Sequence, residues 1–170
     1  GQYIDVSLLD AYIHAHDANF ELYDASHGQI VPTRGGAHHT VVAPCGVFQA
    51  AQGYILLIAI LDHHWRSLTQ VMGRPELYDD PRFRLMADRV QHREVLTAEI
   101  ERWLQSFPDR DSALAVLEKE HVPVAPILTI PEVLQQPHFL ERGAVRSVTD
   151  RVFGTLRFPG FPFRFTAKRE

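Results

Sequence analysis

Residues 43–65, APCGVFQAAQGYILLIAILDHHW, decide how the rest of the chain is read. Val47 and Phe48, then Gln52-Gly53, then Tyr54 to Leu61 predict a short strand, a tight turn and a longer apolar strand, so a β-hairpin lies at the centre. Asp62 falls where a helix should begin, with His63, His64 and Trp65 in its first turn. An aspartate at such a place can accept hydrogen bonds from the first free N–H groups, which predicts a helix cap. Working outward, Trp65, Leu68, Val71 and Met72 continue at helical spacing until Gly73-Arg74-Pro75 stops them. Leu96, Ile100, Trp103, Leu104 and Phe107 mark an amphipathic helix ended by Pro108, and Asp109 or Asp111 can start another that carries Leu114 and Leu117. The prolines of VPVAPIL favour an extended segment outside the centre of a sheet. Ile130 to Leu140 reads as a short helix and a turn at Gln136-Pro137-His138, and Val145–Val148 with Leu156–Phe165, turning through Gly154, as a second hairpin.

On the other side of the hairpin, Ile4, Leu8, Leu9, Tyr12, Ile13 and Phe20 approximate one face of a long helix. Asp17 and Glu21 lie four apart on its polar side, a spacing commoner for a solvated face than for a metal site, and no metal is expected. Residues 26–39, SHGQIVPTRGGAHH, break the periodicity and predict a loop. The fold class expected is α+β: a small antiparallel sheet with flanking helices, preceded by a long helix and a linker loop.

The chain has 170 residues, 45% hydrophobic and 22% charged, enough to bury a core. Its net charge of -4 and scattered Lys and Arg give no footprint for nucleic acid. The single cysteine, Cys45, leaves no internal disulfide, and no apolar run approaches the about 18 residues of a membrane span, so a cytoplasmic setting is expected. No basic residue adjoins Cys45 to stabilise a thiolate, so it is expected to pack under the hairpin. The abrupt opening at Gly1-Gln2 reads as that of a piece cut from a longer protein.

The order of landmarks resembles the family III CoA-transferases, the group that includes formyl-CoA transferase, the carnitine CoA-transferase and the α-methylacyl-CoA racemases. The resemblance rests on Gly1-Gln2 with residues 4–10 (IDVSLLD), Pro44 with Gly46-Val47-Phe48, residues 52–55 (QGYI) and Trp65. It continues through residues 73–77 (GRPEL), 80–83 (DPRF), Arg89 with His92-Arg93, 122–127 (VPVAPI), Pro137-His138 and Arg142-Gly143. It implies a protein more than twice as long, with a Rossmann-like large domain, a small domain and two interlocking subunits. Residues 1–25 would then belong to the large domain, 26–42 to a linker loop and 43–143 to the small domain. Residues 144–170 would form the hairpin and the start of the return.

The resemblance also implies a CoA thioester as substrate, an acyl-CoA and a carboxylic acid as partners and a homodimer, with no membrane. The nucleophilic aspartate, which would form anhydride and CoA thioester intermediates, would lie upstream, as would most CoA contacts. What remains is a supporting set. Gly35 and Gly36 stand where formyl-CoA transferase has its glycine-rich loop, although RGGAHHT departs from a long glycine run. Imidazole ordinarily changes charge near neutrality, which makes His38 and His39 candidates for assisting acid–base steps. Asp62 matches the place where the racemase branch has an acidic residue near its active site, and a cap that projects into a cleft can do both jobs. An α-methylacyl-CoA racemase-type epimerase is the alternative for the parent, and a non-catalytic dimerisation or lid module the alternative for the chain alone.

Overall fold

A computed structural model describes residues 3–161; Gly1-Gln2 and the end of the second expected hairpin strand, Pro162 to Phe165, lie outside the described residues. The chain divides into two compact units, Gly1–Pro126 and Ile127–Glu170.

The first unit is built on the central hairpin. Strands β1 (Cys45–Ala50) and β2 (Gly53–Ile58) pair antiparallel, with Phe48 opposite Ile55 and Gly46 opposite Leu57. Because side chains alternate across a strand, this register puts Phe48, Ala50, Ile55 and Leu57 on one face, and all four are buried. The turn falls on Ala51-Gln52, one residue earlier than the sequence suggests, with Gln52 at a φ of 57°. The third strand, β3 (Val124–Ile127), completes the order β1-β2-β3 as an edge, where Pro126 removes no central ladder bond.

Helices α3 (Asp62–Val71), α5 (Arg93–Leu104) and α6 (Arg110–Lys119) supply most of the rest of the core, and α4 (Met86–Gln91) buries Arg89. Trp65 and Leu68 from α3, Leu96, Ile100 and Leu104 from α5, and Leu117 from α6 form one cluster with the hairpin face. The ends of these helices follow local chemistry. Gly73, at a φ of 68°, closes α3: its N–H reaches Gln70 O at 2.9 Å and that of Arg74 reaches Thr69 O at 2.9 Å, satisfying two terminal carbonyls. Asp109 caps α6 by accepting from Ser112 N at 2.7 Å.

The long helix read over Ile4–Tyr23 is in two pieces, α1 (Leu8–His14) and α2 (Asp17–Ala25), joined at Ala15-His16. Neither buries a residue, and Leu8 is 90% exposed. The break falls where the apolar face lapses, with His16 and Asp17 at the positions three and four after Ile13. The second unit holds α7 (Ile130–Gln135) and α8 (Pro137–Glu141), two helices where the sequence predicts one and a turn, and the antiparallel pair β4 (Val145–Asp150) and β5 (Gly154–Pro159). No helix among the described residues is long and apolar enough to cross a membrane.

Candidate functional site

Two polar groupings lie in the first unit, one at the start of α3 and one along the outer edge of β1. Leu61, not Asp62, is the N-cap residue of α3, so the capping role expected of Asp62 is replaced. Asp62 stands at the first helical position, and its carboxylate accepts from Tyr78 Oη at 2.8 and 3.0 Å instead of from helix N–H groups. Tyr78 Oη in turn accepts from Arg66 Nη2 at 2.8 Å, and the Arg66 guanidinium lies 4.6 Å from the Tyr78 ring centre. Arg66 Nη2 is 3.8 Å from Asp62 Oδ2, an exposed pair one helical turn apart. The Tyr78 hydrogen bond raises the Arg66 pKa further, with Asp62 and Asp79 adding to it. A carboxylate held by a phenol and flanked by a cation stays available to orient a polar substrate group at the surface.

Beneath this grouping Arg89 is 5% exposed. Its guanidinium donates to Ala43 O at 2.7 Å, Phe83 O at 2.9 Å and Arg84 O at 3.2 Å, and lies 5.4 Å from the Trp65 ring. Burial lowers its pKa, while the charges of Asp62 and Asp88 oppose the shift. Arg89 therefore ties the segment entering the hairpin to the segment before α4, which fixes the platform under α3.

The second grouping is the segment expected to be a loop. Ala37 to His39 docks on β1: His39 N donates to Cys45 O at 2.8 Å, Val47 N donates to Ala37 O at 2.8 Å, and His38 bridges Gly46. Gly46 is required here by close approach, because a Cβ on it would sit 2.5 Å from Ala37 O and 2.6 Å from His38 Nδ1. Gly35 is required for the same reason, against His38 O and Thr40 Cγ2, while Gly36 adopts a φ of 64° that favours glycine. The His38 ring meets Phe48 edge to face at 4.8 Å. Burial holds the His38 imidazole below its ordinary pKa; Glu101 pulls it up and Arg93 pushes it further down. His39 turns the other way, its Nδ1 accepting from Val41 N at 3.3 Å, so the two adjacent histidines have different surroundings.

Gly35 and His38 border a cleft of about 430 Å³ whose other wall is the α4–α5 junction, with His92, Arg93 and Glu94. Of the expected site residues, Gly35 and His38 thus share this cleft, Gly36 and His39 are not among its lining, and Asp62 belongs to the Tyr78 and Arg66 grouping. Cys45 is half-buried and burial raises its thiol pKa, as suits a packed cysteine rather than a nucleophile. Among the described residues no group of three or more His, Cys, Asp or Glu could hold a metal ion. Sequence reading gave no role to Tyr78, Arg66, Arg93 or Glu101: Arg66 stands one helical turn after Asp62, a signal that could have paired them, whereas the contacts of Tyr78, Arg93 and Glu101 come from other segments.

The profile of CoA-transferase family III matches residues 1–170, and the chain belongs to that family. It is 32% identical over 151 residues to succinyl-CoA:mesaconate CoA-transferase of Haloarcula marismortui, covering 87% of this chain and 36% of that protein. It is 32% identical over 166 residues to acetyl-CoA:oxalate CoA-transferase of Acetobacter aceti, covering 98% and 41%. Among solved structures, a CaiB/BaiF family protein from Brucella suis matches with a TM-score of 0.73 and 31% identity, over 98% of this chain and 42% of that one. The chain therefore spans about two fifths of the length of these relatives.

Proposed function

We propose that this chain is part of a longer enzyme that moves CoA between carboxylic acids. The observation that carries this reading is the family match over residues 1–170 together with relatives whose names are those of CoA-transferases. The reaction runs through an aspartate upstream of these residues. Its carboxylate attacks the acyl-CoA carbonyl and expels CoA thiolate, leaving a mixed anhydride. The thiolate then attacks the aspartyl carbonyl of the anhydride, releasing the donor acid and leaving an aspartyl-CoA thioester, and the acceptor acid takes CoA by the same two steps in reverse.

Such a thioester must be shielded from water, which gives the segment with Gly35, Gly36, His38 and His39 its role as part of the wall around the reacting groups. Asp62 serves as a substrate-orienting carboxylate, held by Tyr78. The enzyme works as a homodimer in the cytoplasm. The family's large domain and interlocked partner would cover the apolar faces of α1 and α2.

The test uses the longer enzyme and its Asp62→Asn variant with acyl-CoA and a carboxylic acid. Because Leu61 rather than Asp62 is the N-cap residue, melting temperature should hold while kcat/KM falls by about tenfold, the low end for a positioned acid–base or orienting group. Unchanged kinetics in the variant would return Asp62 to a structural role. Acyl-CoA turnover without transfer to any acid would sink the transferase reading.

A further inference from the structure

The outer edge of β1 has its hydrogen-bonding groups occupied in an unusual way. Cys45 O and Val47 N are taken by the segment Ala37 to His39, and the next N–H on that edge, Gln49 N, donates to Glu101 Oε1 at 2.9 Å. An open strand edge is a template for further pairing, and here it is blocked by a three-residue strap and one carboxylate. The strap is held at its end by Arg93, whose Nη2 donates to Thr40 O at 2.7 Å. Its side-chain anchor is the half-buried His38, whose ring lies against Phe48 among Val42, Pro44, Cys45, Leu96 and Thr97.

From this geometry we propose that residues 34–40 form a pH-sensitive strap, closed on the edge of β1 while His38 is neutral and released from it when His38 is protonated. The groups that face His38 decide the sign. From α5 come Glu101, which favours the charged ring, and Arg93, which disfavours it. Glu94 and His92 line the cleft on its far side, Cys45 on β1 stays a neutral thiol, and His39 in the strap is engaged with Val41 N. Burial is the largest influence and favours the neutral ring. A ring that docks better neutral than charged gives the strap its full hold above the free imidazole pKa of about 6.5. That hold is lost as pH falls through this value toward the lower one of the docked ring. Release would remove one wall of the cleft that Gly35 and His38 border and would free Cys45 O and Val47 N. The strap does not depend on whether the parent enzyme transfers CoA.

Amide hydrogen exchange of the 170-residue chain, corrected for the intrinsic pH dependence of exchange, tests this directly. Val47 N–H reports the strap because its acceptor is Ala37 O, whereas the N–H of Phe48 points the opposite way, toward β2, and reports the hairpin. Between about pH 7.5 and pH 5.5 the protection of Val47 should fall by about threefold or more while that of Phe48 holds. The midpoint should coincide with the titration of the His38 ring followed by NMR, and not with that of His39 or His92. In His38→Phe, which keeps an aromatic edge against Phe48 and cannot be protonated, Val47 protection should become insensitive to pH. Should that variant fail to fold, the coincidence of midpoints in the unaltered chain decides. Equal loss at Phe48, a midpoint that follows another histidine, or constant protection of Val47 would each overturn the strap.

Discussion

Trp65 and Leu8 both come from amphipathic helical patterns, yet Trp65 is fully buried and Leu8 is 90% exposed. In the first case α3 finds the inner face of the β1–β2 hairpin, and Phe48, Ile55 and Leu57 close over it. In the second, α1 and α2 present Leu8, Leu9, Tyr12 and Phe20 to solvent. Apolar periodicity thus specifies which side of a helix wants cover but says nothing about where the cover comes from. For α3 it comes from the preceding strands, a few residues away in sequence. For α1 and α2, on the function proposed above, it comes from the rest of the longer enzyme and its partner subunit.

This contrast can be broken most forcefully in the core. Trp65→Ala should cost about 3–5 kcal/mol, enough to unfold the chain at moderate denaturant, measured by urea denaturation. A loss as small as that of a surface change would mean that α3 is not packed as described. Next comes Arg89→Met, which fills similar space but leaves Ala43 O and Phe83 O without their donor. A loss of about 2–4 kcal/mol is expected in the same denaturation, because stranded buried carbonyls bear a desolvation penalty. A neutral result would show that water replaces the guanidinium. Smallest on stability is Leu8→Ser combined with Leu9→Ser, expected to fall within about 0.5 kcal/mol of the parent. Its effect should appear in sedimentation instead: the unaltered chain should associate as concentration rises, as large exposed apolar patches do, and the double variant less so. A strictly monomeric parent chain would remove the contrast.

The parts of the fold legible in the sequence are those fixed by neighbours. The hairpin followed from the short and the longer apolar runs on either side of Gln52-Gly53, the stop of α3 from Gly73, the start of α6 from Asp109 or Asp111, of which Asp109 is the cap, and the edge position of β3 from the prolines of residues 122–128. What escaped depends on segments far apart in the chain. Asp62 looked like a cap because aspartate precedes a helical pattern, but Tyr78, sixteen residues on, takes its carboxylate. The docking of Ala37 to His39 on β1 had one faint signal, Gly46, a glycine inside a strand where another backbone comes close. Arg89 stands among the residues that carry the family resemblance, but its role escaped, since a buried arginine bonded to carbonyls from two other segments has no period to detect. The break between α1 and α2 had a faint signal too, the lapse of the apolar face between Ile13 and Phe20, where His16 and Asp17 stand at the positions that would continue it.

The proposal that CoA transfer passes through an aspartate outside these residues is tested most directly by mass spectrometry of the longer enzyme, incubated with acyl-CoA and no acceptor acid. A covalent CoA adduct is expected that disappears when an acceptor acid is added, and that maps by peptide analysis to an aspartate upstream of the 170 residues. An adduct on Asp62, or on any other residue of this chain, would contradict it, and so would transfer of CoA with no covalent intermediate at all.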